Sequence, residues 1–157
     1  MKIVFLDTYT LDPGDNPLDS IASNGELIRY DRTPRDQIVE RARDADVIIA
    51  NKTEIDASLI AQLPKCRLIT VTATGYNIVD VKAARARNIA VCNVPAYSTD
   101  SVAQFTFALI LELCHHVGLH SDSVKAGDWT RNPDFCYSKT PLIELAGKSI
   151  AIVGYGR

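Results

Sequence analysis

Residues 47–71 read VIIANKTEIDASLIAQLPKCRLITV, and this stretch decides the fold. Its two ends, Val47–Ala50 and Arg67–Val71, are short runs rich in β-branched residues, which predict buried strands. Between them, Asp56 is placed to cap a short helix that ends near Pro64. A strand, a helix and a second strand in this order predict one parallel β-α-β unit.

The same alternation continues on both sides of this unit. The further predicted elements are a strand at Lys2–Leu6, a helix at residues 18–24, a strand at Glu26–Tyr30, a helix from Thr33 to about Asp44, a helix at Val79–Arg87 and a strand at Ile89–Cys92. Gly25 is expected at the C′ position of the first helix, Thr33 as an N-cap and Pro34 at the first helical position. We therefore predict a flavodoxin-like, doubly wound parallel sheet over residues 1–96, an α/β fold.

The chain changes character after Pro95. Ser101–Gln104 has the Ser-x-x-Gln spacing of a capping box and predicts the start of a long helix that continues to about Val124. Because a helix that is apolar on all sides must be buried on all sides, this helix predicts a partner surface, and residues 126–142 are expected to lie as an arm on another surface. Its apolar residues are Val102, Phe105, Phe107, Leu109, Ile110, Leu111, Leu113 and Val117.

The last residues carry the beginning of a nucleotide-binding pattern. Lys148–Val153 predicts a new strand that runs directly into Gly154, Tyr155, Gly156 and Arg157. Gly-x-Gly after a strand starts the dinucleotide fingerprint, in which the first glycine permits a tight turn and the second lets the backbone approach the pyrophosphate. The same three residues are also compatible with an ordinary strand-to-turn transition.

Composition narrows the classes of partner. The 157 residues carry 17 Lys and Arg against 19 Asp and Glu, without a run of one sign, so neither nucleic acid nor an anionic membrane is expected to bind. The N-terminus lacks the pattern of a signal peptide, and every uncharged stretch, such as Ser101–Leu111, is far shorter than the roughly 18 residues of a membrane span. A cytoplasmic protein is expected. Its four cysteines lack Cys-x-x-Cys spacing and are expected to be reduced and mostly buried.

Three motifs follow one another along the chain. They are TATGYNIVD at residues 72–80, NVPAYST at residues 93–99 with Val102–Gln104, and ELAGKSIAIVGYG at residues 144–156. In this order they resemble the D-isomer-specific 2-hydroxyacid dehydrogenases, in particular the glycerate dehydrogenase/hydroxypyruvate reductase branch. The resemblance covers the whole chain.

The resemblance implies a domain organisation and partners. Residues 1–96 would be a substrate domain, and residues 97–157 would begin a Rossmann domain that binds NAD or NADP. Tyr97–Thr99 would be a hinge, while the helix at residues 100–124 and the arm at residues 126–142 would form a homodimer. The small-molecule partner would be a 2-hydroxy or 2-keto acid.

A substrate site can be predicted from the residues themselves. Ligands of open α/β sheets lie beyond the carboxyl ends of the strands, which here are Asp7–Thr8, Asn51–Thr53, Ala73–Gly75 and Cys92–Asn93. Backbone N–H groups at Thr74 and Gly75 can form an anion-binding concavity for a substrate carboxylate, and Lys52 can add positive charge. The resemblance also implies this position for the carboxylate, at Ala73, Thr74 and Gly75. The alternatives are a simple turn at Thr74–Gly75 and a merely exposed Lys52.

Few residues of this chain are expected to contact the cofactor or to take part in catalysis. The resemblance implies that Thr99, with Ser98 less clearly matched, lies near the nicotinamide, whereas N-capping of the long helix is the structural alternative. It also implies that a catalytic His, a Glu and an Arg lie downstream of Arg157. No catalytic residue is therefore expected in this chain, which we expect to be inactive by itself.

Histidines on the long helix offer a metal-site alternative. Glu112, His116 and His120 follow one another at intervals of four residues, a ladder that can coordinate a metal ion. We favour instead histidines at a helix end near an interface, where a positive charge suits the helix dipole, and we expect no metal.

Two hypotheses of function follow. The first is an N-terminal fragment of an NAD(P)-dependent oxidoreductase that reduces a 2-keto acid such as hydroxypyruvate or glyoxylate, or runs the reverse oxidation. The second is a non-catalytic module that binds a carboxylate or dimerises. An end at residues 154–157 favours a truncated enzyme, because domain boundaries usually fall in exposed linkers.

Overall fold

A computed structural model describes residues 1–12 and 14–154. The chain divides into two compact units, Met1–Tyr97 and Ser98–Arg157, at a point inside the segment predicted as a hinge. Each unit is described by itself.

The first unit is built on a five-stranded parallel sheet. Its strands are β1 (Lys2–Phe5), β2 (Glu26–Arg29), β3 (Val47–Ala50), β4 (Leu68–Val71) and β5 (Ala90–Cys92). The spatial order is β2-β1-β3-β4-β5, which is the strand order of flavodoxin-like sheets. The prediction of a parallel α/β fold is confirmed.

The helices of this unit are shorter than predicted. They are α1 (Asp19–Ala22), a 3-10 turn (Arg35–Gln37) followed by α2 (Ile38–Ala42), α3 (Ala57–Ile60) and α4 (Val81–Ala86). The Asp56 cap is confirmed, because its Oδ1 accepts a 3.0 Å hydrogen bond from the Leu59 amide. Hydrogen bonds from the Ser58 hydroxyl, from Arg35 and from the Leu59 amide hold the pKa of Asp56 well below its usual range.

Two predicted helix ends are wrong. The Thr33 hydroxyl donates to the carbonyl of Leu6 at 2.7 Å and accepts from Arg41 at 2.9 Å, whereas Pro34, in an extended conformation, is the N-cap residue of the 3-10 turn. Gly25 is needed for a close approach and not for a left-handed C′ position. A Cβ built there would lie 2.2 Å from the carbonyl oxygen of Met1, which accepts a hydrogen bond from the next amide, that of Glu26.

Alternating side chains of the central strands fill two cores. On one face, Val4 and Leu6 belong to the larger cluster, which also includes residues of α2, α3 and α4. On the other face, Ile3 and Phe5 pack with Leu18 in a smaller cluster. Burial of both faces is what a parallel sheet requires, and it explains why these strands read as continuous apolar runs.

The second unit contains three helices and an irregular segment. The helices are α5 (Thr99–His115), α6 (Val117–Lys125) and α7 (Asp128–Arg131). A single helix to Val124 was a wrong prediction, because His116 adopts a left-handed conformation (φ 47°, ψ 50°) and α5 and α6 meet at a 60° bend. The capping box is also wrong, since Ser101 and Gln104 lie inside α5 and Ser98 occupies the N-cap position.

The apolar side chains of α5 are largely exposed. Phe105 and Phe107 are each 64% exposed and Leu113 is 71% exposed, whereas Cys114 is the one residue of α5 that is buried. Among the described residues no single helix is long and apolar enough to cross a membrane. By length and composition alone, α5 and α6 together would pass as one bent span.

The irregular segment is held by polar contacts at its base. The Ser123 hydroxyl lies 3.0 Å from the Tyr137 hydroxyl and donates to Asp128, and Lys139 forms a 2.6 Å ion pair with the same carboxylate. The hydrogen bond from Lys139, followed by that from Ser123, keeps the pKa of Asp128 far below its usual range. Phe135 nevertheless remains 89% exposed.

The predicted strand at residues 148–153 does not form. The residues are irregular, and Ile152 and Val153 are 82% and 100% exposed. A β-strand requires a neighbouring strand for its backbone hydrogen bonds, and no strand of the described residues pairs with this segment.

The cysteines divide evenly between core and surface. Cys66 and Cys114 are buried as expected, whereas Cys92 and Cys136 are exposed. Cys92 lies on β5, the edge strand, whose side chains alternate between the larger core and solvent. Burial raises the pKa of the Cys66 thiol from 9.0 to about 11.

This difference predicts the order of thiol modification. At pH 8, iodoacetamide should modify Cys92 in the folded chain much faster than Cys66, because the thiolate is the nucleophile and burial disfavours it. The rate at Cys66 should keep rising with pH up to about 11, where the thiolate becomes the main form. Peptide mass spectrometry of timed samples measures both rates, and equal rates at pH 8 would show that Cys66 is not in the core.

Candidate active site

The carboxyl ends of β1 and β3 meet around one buried carboxylate. Asp7, which is 8% exposed, follows β1, and Asn51, Lys52 and Thr53 follow β3. The Asp7 Oδ1 accepts from the Asn51 amide at 2.7 Å, and its Oδ2 accepts from the amides of Lys52 and Thr53, both at 2.6 Å. The Thr53 hydroxyl adds a fourth bond at 2.8 Å. The loop after β3 is therefore organised by a side chain that follows β1.

Further hydrogen bonds link the residues that follow β1 to those that follow β3 and β2. The Asn51 side-chain amide donates to the Thr10 hydroxyl at 2.6 Å. The Thr8 hydroxyl lies 3.3 Å from the carbonyl of Tyr30, to which it donates, at the end of β2. Three neighbouring strands thus end in one hydrogen-bonded polar surface.

A cleft of about 380 Å³ lies at this edge. Two cationic residues, Lys52 and Arg32, line it together with Asp7, Thr53 and the Thr33-Pro34 segment. Within residues 1–12 and 14–154, neither Lys52 nor Arg32 forms an ion pair with a carboxylate. Because two cationic side chains stand against the one carboxylate of Asp7, the cleft has a net positive lining.

The loop after β4 is anchored by its carbonyl groups. The Asn93 side chain donates to the Thr74 carbonyl at 2.8 Å, and the Val94 amide donates to the Ala73 carbonyl at 3.2 Å. The Thr74 hydroxyl donates to the Val94 carbonyl at 3.1 Å. In the part of the chain that the structure describes, the amides of Ala73, Thr74 and Gly75 have no hydrogen-bond acceptor.

Three successive amides without acceptors are chemically suited to an anion. Ala73 and Thr74 are half-buried and Gly75 is exposed, so a ligand can reach them. Gly75 does not have a left-handed backbone, and a Cβ built there would approach the Asn77 Oδ1 to 3.3 Å. Glycine at this position therefore avoids a tight contact with the Asn77 side chain and does not serve an unusual backbone angle.

The structure places Lys52 and the loop after β4 at one edge of the sheet. The two loops follow adjacent strands, paired through Ala50 and Val71, and the Thr72 amide continues the ladder by donating to the Ala50 carbonyl at 3.0 Å. The cleft beside Lys52 is not lined by Ala73, Thr74 or Gly75. Directly before Ala73, the buried Thr72 hydroxyl has no hydrogen-bond partner among the described residues.

The residues predicted to bind a cofactor are less completely described. Thr99 is the first residue of α5, and Ser98 occupies the N-cap position without a side-chain capping hydrogen bond. The alternative that these hydroxyls cap the helix is therefore not what the structure shows. Gly154 has a positive φ of 98°, suited to a glycine in a tight turn, whereas Tyr155, Gly156 and Arg157 lie outside the described residues.

The histidine ladder predicted as a metal-site alternative is broken. His116 interrupts the helix, and the Glu112 carboxylate accepts from the Gly118 amide at 3.3 Å. The His120 ring has both nitrogens in contact with the protein, at 2.9 Å from the His116 carbonyl and 3.0 Å from the Lys139 amide. No group of three metal-binding side chains occurs in the described ranges.

Asp7 is the site residue that sequence reasoning missed. The sequence placed it only at the end of a strand. The sequence feature that points to it is an acidic residue directly after an apolar run. Its importance is visible only when β3, which is followed by Asn51, Lys52 and Thr53, is known to be the neighbour of β1. Which strand is the neighbour depends on sheet order, and local periodicity does not contain that information.

Comparison with known proteins gives a consistent picture. Residues 3–151 match the profile of the catalytic domain of the D-isomer specific 2-hydroxyacid dehydrogenases. A hydroxypyruvate reductase of Blautia hydrogenotrophica is 48% identical over 100% of this chain and 50% of its own length. A glycerate dehydrogenase of Methylorubrum extorquens is 35% identical over 99% of this chain and 49% of its own length.

Solved structures agree at the level of the fold. The TT0316 protein from Thermus thermophilus superposes with a TM-score of 0.70 and 27% identity, over 85% of this chain and 43% of that chain. The D-lactate dehydrogenase from Escherichia coli gives a TM-score of 0.69 at 20% identity, over 95% of this chain and 47% of that chain. The chain spans about half the length of the curated relatives that it matches. It belongs to the D-isomer specific 2-hydroxyacid dehydrogenase family.

Proposed function

We propose that this chain supplies the substrate-binding part of an NAD(P)-dependent D-2-hydroxyacid dehydrogenase. The observation that carries the proposal is the run of three amides without acceptors at Ala73–Gly75, beside the loop that bears Lys52. The names of the relatives favour small substrates of the hydroxypyruvate, glycerate and glyoxylate class.

The proposed roles follow from the chemistry of a carboxylate. Its oxygens accept hydrogen bonds from the amides of Ala73, Thr74 and Gly75, which form a concavity of backbone donors. Lys52 contributes a charge that strengthens the interaction and favours an anion over a neutral ligand.

For the cofactor, the described residues meet only part of the requirement. The positive φ of Gly154 and the free space around its α-carbon suit the first glycine of a dinucleotide-binding turn, but the residues before it form no strand. Gly154, Tyr155, Gly156 and Arg157, with Thr99 near the nicotinamide, remain the proposed contacts on sequence grounds. NAD or NADP would supply or accept the hydride when bound.

We further propose the domain division and the location predicted from the sequence. Residues 1–96 form the substrate domain, residues 97–157 begin the cofactor domain, and the protein is cytoplasmic. The acid–base residues are proposed to belong to the half of the relatives' length that this chain does not span.

A second copy of this chain is the proposed partner of α5, of α6 and of the arm at residues 126–142. Phe105, Phe107 and Leu113 are more than 60% exposed on α5, and Phe135 of the arm is 89% exposed. Large apolar side chains exposed in this number are typical of surfaces that another protein covers.

Carboxylate binding tests the proposed site. Titration of the chain with sodium D-glycerate should shift the amide resonances of residues 73–75 and of Lys52 in ¹⁵N NMR spectra. Lys52→Met should weaken binding about tenfold, because it removes a charged hydrogen-bond donor. Lys82→Met, which removes an exposed lysine of α4, should leave the affinity unchanged. If Lys52→Met and Lys82→Met change the glycerate affinity equally, the carboxylate does not bind beside Lys52.

Turnover measurements test the proposal that the catalytic residues lie outside this chain. NADH oxidation with hydroxypyruvate should be undetectable with this chain, verified by intact mass, and measurable with a full-length protein that contains it. Turnover by the verified chain would show that catalytic residues lie within it. Absence of turnover in the full-length protein, with lactate, glyoxylate and hydroxypyruvate all tested, would contradict the proposed enzyme class.

Sedimentation equilibrium tests the proposed dimer. The chain should self-associate at micromolar concentrations, and Phe105→Glu should raise the dissociation constant at least about tenfold because a charge is costly in a closed apolar interface. Gln62→Glu, an exposed substitution in the first unit, is the matched control. A wild-type chain that stays monomeric throughout the micromolar range would refute the dimer.

A further inference from the structure

The loop that bears Lys52 depends on one side chain. Asp7 receives four hydrogen bonds from this loop, between 2.6 and 2.8 Å, and three of the donors are the consecutive amides of Asn51, Lys52 and Thr53. Because β1 and β3 pair in parallel with Phe5 opposite Ile49, Asp7 falls opposite Asn51 by register. The register therefore delivers the carboxylate directly to the start of the loop.

This arrangement is a backbone anion site whose anion is part of the protein. Successive amides that converge on one point bind external anions in many proteins. Here the Asp7 carboxylate, only 8% exposed, fills that point, and the Thr53 hydroxyl completes its coordination. A buried carboxylate is costly unless its oxygens are hydrogen-bonded, so the loop and Asp7 stabilise each other.

The consequence for Lys52 is geometric. Its amide is held between two neighbouring amides that bond to the same carboxylate, so its Cα has little freedom, while its side chain lines the cleft. An ordered Cα removes the backbone part of the entropy that would otherwise be lost when a ligand binds. The negative charge of Asp7 would repel a substrate carboxylate, but four donors face it and offset that repulsion.

We propose that Asp7 is a positioning residue for substrate-carboxylate binding, acting by fixing the loop from which Lys52 reaches the cleft. In this role Asp7 acts through the loop and not by contact with the substrate. The inference rests on the proposed function of Lys52 and goes beyond it, because it assigns a role to a residue of a different strand end.

A double-mutant cycle on the 157-residue chain tests the proposal, with D-glycerate affinity measured by ¹⁵N NMR titration. Asp7→Asn removes the charge and turns a donor toward the loop amides, and it should weaken binding about tenfold. The double variant Asp7→Asn/Lys52→Met should bind no more weakly than Lys52→Met alone, because positioning a missing lysine has no effect. If Asp7 had only a structural role, Asp7→Asn would weaken glycerate binding by the same factor with Lys52 present and with Lys52→Met.

Two further variants keep the test decisive. Asp80→Asn is the matched control, because Asp80 accepts from the Ala83 amide at 2.9 Å as the N-cap of α4, and its loss should leave glycerate affinity unchanged. If Asp7→Asn does not fold, Thr53→Val replaces it in the cycle. That change removes one donor at 2.8 Å and keeps the carboxylate, so a smaller weakening is expected, again absent when Lys52 is Met.

Amide hydrogen exchange measures how firmly the loop at residues 51–53 is fixed, independently of ligand binding. Asp7→Asn should accelerate exchange at Asn51, Lys52 and Thr53 while the amides of β4 stay protected, and unchanged exchange at the loop would overturn the positioning role. Equal weakening by Asp7→Asn with and without Lys52 would also overturn it and would leave the proposed function intact. A wild-type chain that does not bind glycerate, or a Lys52→Met variant of undiminished affinity, would overturn both.

Discussion

The constraint on which the first unit depends is the burial of both faces of a parallel sheet. β1 and β3 lie next to each other in the sheet, and Phe5, Leu6 and Ile48 are completely buried. Parallel strands cannot be joined by tight turns, so each connection crosses the sheet and all strands end at the same edge. The polar residues that follow β1, β3 and β4 are therefore brought together by the same packing that builds the core.

Burial is uneven across the sheet. At β5, Val91 packs against the larger core, whereas Ala90 and Cys92 point the other way and are exposed. The smaller cluster on that second face involves β1, β2, β3 and Leu68 of β4, and it does not reach β5. The site edge adjoins the well-packed part of the sheet, which gives the loops after β1 and β3 a rigid base.

The sequence was sufficient to predict those elements that depend on burial and on local spacing. The runs at Lys2–Leu6, Val47–Ala50 and Arg67–Val71 each formed strands, since β-branched residues in short apolar runs favour buried strands over helices. The Asp56 cap was also predictable, because its hydrogen bond reaches only three residues along the chain. These features depend on local spacing.

What the sequence could not supply are contacts between distant residues. Thr33 was expected to cap a helix, but its hydroxyl bonds to a carbonyl 27 positions away. His116 breaks a helix that the apolar pattern would continue, and residues 148–153 have strand composition without a strand to pair with among the described residues. At residues 148–153 the local strand preference has no effect, because no strand of the described residues supplies hydrogen-bond partners.

The candidate site shows the same division. Lys52 and Ala73–Gly75 could be placed at one edge because strand ends are visible in the sequence, but Asp7 could not be linked to residues 44 to 46 positions away without the strand order. The structure also distinguishes two ways of holding a loop. The loop after β3 is fixed through its amides, and the loop after β4 through its carbonyls, so the latter has N–H groups left for a ligand.

The second unit requires a different explanation for its stability. Its longest helix buries one residue, Cys114, while large apolar side chains such as Phe105 and Leu113 are mostly in water. Full burial of one such side chain is worth about 1.5–3 kcal/mol, so covering several of them exceeds the typical free energy contributed by the few polar contacts around Asp128. The exposed apolar side chains of α5 are the feature that the proposed second copy of the chain would cover, because an isologous interface presents the same residues from both partners.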